Sequence, residues 1–192
     1  MHDWKGALLA SVTVSVLETV NSLGPASVIR RVENREISTA AETIVRRLKL
    51  SGLIGLDFIL ERDTGKAHLI EMNPRATQIS HLLLAGGGDL LGRLGAAISG
   101  DPLRQAVPVT ENDVIALFPQ EWLRDSTSGF LRTAFHDVPW DEPELLRRCM
   151  TETVEFQVWS RLSAATRAVR AWLTGTKQNG LDQISPSEVS HV

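Results

Sequence analysis

Residues 51–75 read SGLIGLDFILERDTGKAHLIEMNPR. Two apolar runs, Leu53 to Leu60 and Ala67 to Met72, flank Asp63-Thr64-Gly65, and a three-residue loop with glycine third suits a type I turn closed by a left-handed residue. The stretch predicts a β-hairpin. Such a loop pairs Arg62 with Lys66 and sets Asp57 directly opposite Glu71. Side chains alternate along a strand, so Asn73 shares the face of those two carboxylates, while Leu56, Phe58, Leu60, Ile70 and Met72 crowd the other face.

Two carboxylates and a carboxamide converging on one point repel one another unless a cation sits between them. All-oxygen ligands suit Mg2+ or Mn2+, and such ions usually arrive with phosphates. Arg75, set just past the strand by Pro74, adds a planar cationic fork that matches carboxylate or phosphoryl oxygens. Acidic residues at alternating positions of a hairpin are commonly just its solvated face. The tail Glu71-Met72-Asn73-Pro74-Arg75 shifts the balance toward metal-nucleotide chemistry.

On those residues the sequence resembles the C-terminal part of the ATP-grasp fold, most closely that of the carbamoyl-phosphate synthetase large subunit and related carboxylate-amine ligases. The resemblance is specific from about Gly24 to Asp101. It implies that Asp57, Glu71 and Asn73 are magnesium ligands at the ATP phosphates, and that Arg75 is the catalytic cation holding the reacting phosphoryl or acyl-phosphate group. Asp57 stands where carbamoyl-phosphate synthetases usually have Gln, and Ala76-Thr77-Gln78 replaces a serine- and arginine-rich continuation. The cofactors implied are ATP with Mg2+ or Mn2+, and the substrate implied is a small carboxylate.

The chain has 192 residues, 43 % hydrophobic and 22 % charged, which suits a globular protein of one domain with an appendage. A net charge of -3 gives no electrostatic case for nucleic acid, and no apolar run approaches bilayer length. Its single cysteine, Cys149, cannot form an internal disulfide, and the N-terminus lacks a signal pattern, so a cytoplasmic location is expected. Of 20 basic residues only Lys5, Lys49, Lys66 and Lys177 are lysines. The phosphate-gripping lysines and glycine-rich flap of intact ATP-grasp enzymes, which lie N-terminal to the resembling region, are not visible.

Lys5 to Val20 predicts a long strand rich in β-branched residues, and Ser27 to Glu33 a second strand antiparallel to it. Trp4-Lys5-Gly6 lies so near the start that the domain is expected to be entered partway through. On the second strand Arg30 is a generic candidate for a phosphate contact. Asn34 to Leu50 predicts a helix whose stripe Ile37, Ala41, Ile44 and Leu48 covers the sheet and which stops at Gly52. Thr77 to Ala85 predicts a short helical or irregular segment in which His81 is a packed or hydrogen-bonded residue and not a ligand. Gly86-Gly87-Gly88 reads as a loop before a helix capped by Asp89 and ended by Gly100. A linker from Asp101 to Asn112, a strand from Val114 to Phe118, a turn at 126–129 and a helix opened by Asp141-Glu142-Pro143-Glu144 follow. A last helix spans about Thr153 to Leu173, and Trp122, Trp140, Trp159 and Trp172 read as core or interface anchors.

The expected fold is therefore α+β: the C-terminal lobe of an ATP-grasp fold over 1–104, an antiparallel sheet backed by helices. A mainly helical appendage with a short strand over 105–174 and a mobile tail over 175–192 complete it. The expected function is the ATP- and Mg-binding portion of a ligase that activates a carboxylate as an acyl phosphate for attack by an amine or other nucleophile. As an isolated chain it is expected to be inactive, with a separate N-terminal lobe or a second copy as its protein partner. The alternative is a non-catalytic binding or assembly module derived from the same fold.

Overall fold

The computed structural model describes residues 2–22, 24–84, 89–102, 107–151 and 189–191. The chain divides into two compact units, Met1–His136 with Pro186–Val192, and Asp137–Ser185. The expected boundary after residue 104 thus moves to His136, because the segment beyond it completes the sheet.

The first unit begins with a hairpin, β1 (His2–Trp4) and β2 (Ala7–Ala10), whose two-residue loop places Lys5 and Gly6 at φ 54 and 84°. Both loop residues are left-handed, as a tight hairpin turn matched to strand twist requires. The long strand expected from Lys5 to Val20 therefore starts two residues late, after this turn, and is broken once, at residues 11–13 before β3 (Val14–Thr19). β3 pairs antiparallel with β4 (Ala26–Arg31), as the turn chemistry between them implied.

Helix α1 (Arg35–Leu48) starts at Asn34, whose side chain accepts a hydrogen bond from Ile37 N at 3.1 Å, a cap worth about 1 kcal/mol. It ends at Lys49, which takes the left-handed cap conformation three residues before the expected stop at Gly52. Ile37, Ala41 and Val45 are its fully buried residues, a spacing of one turn each, while Leu48 is 57 % exposed. The stripe therefore runs one residue to the side of the one expected.

Beyond α1 come β5 (Gly52–Leu53), β6 (Gly55–Leu60) and β7 (Ala67–Asn73). Leu56 and Phe58 of β6 pack beneath Ile37, Ala41 and Val45 in one apolar cluster. A second cluster joins Val14, Ala26 and Ile29 to Ile79, Leu82, Leu84 and Leu90, the last on α2 (Leu90–Ser99), and to Ile115 and Leu117 of β8 (Val114–Leu117). As expected, α2 is capped by Asp89, which accepts from Gly92 N at 2.7 Å, and ended by left-handed Gly100. The glycine run 86–88 lies outside the described residues.

Two short helices, α3 (Gln120–Arg124) and α4 (Phe130–Thr133), and a strand, β9 (Phe135–Asp137), follow β8. Trp122 of α3 meets Phe118 and His136 edge-on, with ring centroids at 5.5 and 4.7 Å. The larger sheet has seven strands in the order β7-β6-β10-β3-β4-β8-β9, where β10 is Val189–His191, and β2-β1-β5 form a smaller sheet. Residues 189–191 therefore pair as a strand, although their polar surroundings predicted a mobile tail.

In the second unit residues 143–151 are helical, beginning at the proline that suits a first turn. Glu144 pairs there with Arg147 and Arg148 at 2.8 and 3.0 Å. The helix expected over Thr153 to Leu173, with Trp159 and Trp172, lies outside the described residues. Trp140, at 72 % exposed, is not a core residue of its unit. No described helix is long and apolar enough to cross a membrane.

Candidate functional site

The site grows from the β6–β7 hairpin. Asp57 pairs with Glu71, and Gly55 with Asn73, so the register expected from the sequence holds at those positions. It does not hold nearer the turn. Phe58 faces Leu69 and Leu60 faces Ala67, while Glu61 N donates to Lys66 O across a four-residue loop, Arg62 to Gly65. The extra loop residue is absorbed by a bulge that leaves Ile70 without a partner between Leu69 and Glu71. Two one-residue departures cancel, which returns the two carboxylates to opposition.

The bulge and the edge position of β7 also change the apolar face. Leu56 and Phe58 are buried, but Ile70 and Met72 are 53 and 40 % exposed rather than packed. Of the apolar residues of β7, Ala67 joins the cluster under α1, and Ile70 and Met72 do not.

A cleft of about 220 Å³ opens beside this hairpin. Gly55, Asp57, Asn73 and Arg75 line one side, and Val14, Ala26 and Ile29 of β3 and β4 the other. Three of the four expected site residues therefore meet in one cavity. Glu71, opposite Asp57 but on the outer strand, is exposed and stands outside the lining. Arg75 is also exposed, turned over Pro74 by a hydrogen bond from its N–H to Asn73 O at 2.8 Å, and its Nη1 donates to Ala76 O at 3.2 Å. Arg30, exposed on β4, is not among the cleft residues.

Sequence reasoning missed what holds Arg75 there. The segment after it folds back over β6, and a Cβ on Gly55 would come within 2.5 Å of Thr77 Cγ2. Gly55 is needed for that close approach. Gln78 Nε2 then donates to Ala26 O at 3.0 Å, tying the segment to β4 across the cleft, and Thr77 N donates to Ser80 Oγ at 2.9 Å. The signal present in the sequence was a glycine inside a strand, which marks a place where another backbone or side chain comes close.

A second acidic centre lies in the same unit, and it too was not anticipated. Glu121 of α3 is fully buried, receiving Arg124 Nε and Nη2 at 2.7 Å each and Ser27 Oγ at 2.8 Å. Burial pushes its carboxyl upward, but hydrogen bonds from Arg124, Ser128 and Ser27 outweigh burial and hold it below its ordinary value. Glu121 in turn raises the Arg124 guanidinium, which also lies 3.4 Å from Glu18. This centre is closed on itself.

The hairpin donors are all oxygen, as a hard divalent cation requires. Among the described residues no three His, Cys, Asp or Glu side chains gather to hold a metal. Two carboxylates and a carboxamide fit an ion that brings phosphate oxygens as its remaining ligands, the usual way magnesium is bound beside a nucleotide.

Residues 7–78 match the ATP-grasp domain family. Over 98 residues the chain is 30 % identical to the carbamoyl phosphate synthase large chain, N-terminal section, of Methanopyrus kandleri, an alignment covering 46 % of this chain and 17 % of that protein. Over 120 residues it is 25 % identical to the carbamoyl phosphate synthase large chain of Methanothermobacter thermautotrophicus, covering 62 % of this chain and 11 % of that one. No solved structure matches significantly. That matched segment, which ends at the cleft residue Gln78, is similar to the ATP-grasp domain and takes in the whole carboxylate-bearing hairpin. The chain spans less than a fifth of the length of either curated relative.

Proposed function

We propose that the chain is the ATP- and magnesium-binding portion of an ATP-grasp ligase, one that activates a small carboxylate as an acyl phosphate for attack by an amine or another nucleophile. The observation that carries this reading is the register of the hairpin: Asp57 lies directly opposite Glu71, and Asn73 follows two residues on, at the cleft that Arg75 also lines. Asp57, Glu71 and Asn73 would hold the magnesium ion, which supplies charge neutralisation at the phosphate oxygens when bound. Arg75 would meet negative charge developing on the transferred group, its planar fork matching two oxygens at once. The wall of Val14, Ala26 and Ile29 on the other side of the cleft is apolar, which lowers the local polarity for the half-buried Asp57 and Asn73 that line it.

Titration of Mg-ATP and Mg-ADP by calorimetry, repeated with Glu71→Ala, tests the reading. Binding by the parent that falls at least tenfold in the variant is expected. A parent that binds neither nucleotide, with or without Mn2+ in place of Mg2+, would overturn it. A non-catalytic module is favoured by one observation: among the described residues no lysine lines the cleft. Under that second reading nucleotide binds but no added carboxylate promotes ADP release, even with a lysine-bearing lobe supplied by another chain.

A further inference from the structure

The hairpin that carries Asp57, Glu71 and Asn73 is not laddered directly to the hairpin of β3 and β4. Between them lies β10, paired antiparallel on both sides: Val189 with Ile59, Ser190 with Phe58 and Ser15, and His191 with Asp57 and Val14. In the described sheet β10 is the one strand through which β6 and β3 are joined. The cleft takes one wall from each of those hairpins, and the two residues paired with His191 both line it. The strand lies outside residues 7–78, the segment that matches the family.

We propose that the groove between β3 and β6 is a strand-acceptor surface, that its occupant is this chain's own segment at residues 189–191, and that the added strand latches the carboxylate-bearing hairpin to the opposite wall of the cleft. Without β10, both β3 and β6 would present a row of unpaired backbone N–H and C=O groups, a strong template for an extended peptide. The strand is three residues long. Its few backbone hydrogen bonds outweigh the cost of ordering those residues by a small margin, enough to fill the groove most of the time but not to lock it. The hairpins themselves are held by other means, Phe58 and Leu56 under α1 and Ile29 against Ile115. Occupancy of the groove is therefore reversible, and it sets the distance between the cleft walls without setting the fold.

Native-state hydrogen exchange of the full chain against a deletion of residues 187–192 tests this, and it needs no nucleotide, so its failure is separable from failure of the nucleotide reading. The deletion is expected to lower protection at least tenfold in segments 14–16 and 57–59, while amides of α1 and of Ile29 and Ile115 keep theirs. A synthetic peptide of residues 187–192, SEVSHV, added at millimolar concentration is expected to restore protection where a scrambled peptide does not. In the full-length chain Ser190→Pro, which removes a backbone donor, is expected to cause the same selective loss. Unchanged protection in both variants overturns the proposal, as does loss spread evenly over α1 and β4. A peptide that restores nothing overturns the acceptor surface.

Discussion

The two acidic centres of the first unit solve the same electrostatic problem in opposite ways. At Glu121 the carboxylate is buried and every oxygen is met, by the fork of Arg124 and the hydroxyl of Ser27. At the hairpin two carboxylates face one another across a strand pair, and Glu71 has no ion-pair partner among the described residues. A neutralised, buried charge serves the fold, and its removal leaves an uncompensated partner. An exposed carboxylate held opposite another serves the fold poorly, which is the pattern expected where a cation from outside completes the site.

The sharpest way to break this contrast is Glu121→Ala. Removing Glu121 leaves the Ser27 hydroxyl unmet and leaves the partly exposed Arg124 with Glu18 at 3.4 Å, so a loss on the order of 3 kcal/mol in unfolding free energy is expected from denaturant titration. A loss below about 1 kcal/mol would mean that α3 is dispensable to the unit.

The pH dependence of stability follows from the same centre. Because the folded Glu121 carboxyl lies below its ordinary value of 4.5, its contribution is fully present above that pH and is lost as pH falls through the folded value. Denaturation midpoints measured downward from pH 6 should therefore decline, and Glu121→Gln should flatten the decline. An equal slope in parent and variant would place the acid sensitivity elsewhere.

How much of this was legible in the sequence differs between the two centres for a physical reason. The hairpin site is local: Asp57, Glu71, Asn73 and Arg75 lie within one strand-turn-strand unit, where alternation fixes the face and turn length fixes the register. Even so, the turn was one residue longer than read, and only the compensating bulge at Ile70 kept the carboxylates opposed. The Glu121 centre joins residues 94 apart in sequence, and a Glu three positions before an Arg reads on any helix as an ordinary surface pair. Likewise β8 reads correctly as a strand, but its pairing with β4 is a long-range event, so the boundary expected after residue 104 fell too early. The strand at 189–191 escaped for the same reason: a three-residue strand has no periodicity to read, and its place is set by two strands far away.

Gly55→Ala sharpens the comparison from the hairpin side. The new Cβ would meet Thr77 Cγ2 at 2.5 Å, and the stiff threonine must rotate or move the segment that carries Arg75. A destabilisation of about 1–2 kcal/mol is expected, well below that of Glu121→Ala. Thr77→Ser deletes the obstructing methyl, so the double variant should recover most of the loss. Additive effects in the double-mutant cycle would show that the contact does not set the position of the segment.

The smallest expected effect is also the most discriminating. If the hairpin carboxylates are held for an external cation, Glu71→Gln in metal-free buffer should change stability by no more than about 0.5 kcal/mol, because the side chain is exposed and relief of repulsion offsets lost solvation. Added Mg2+ with ADP should then raise the melting temperature of the parent and leave the variant unmoved, since a ligand stabilises only the state that binds it. The opposite result, a large loss in metal-free buffer and equal responses to Mg-ADP, would make Glu71 a structural residue like Glu121. The opposition of the two carboxylates would then be a property of the strand pair alone, and the difference between the two centres would be one of burial, not of purpose.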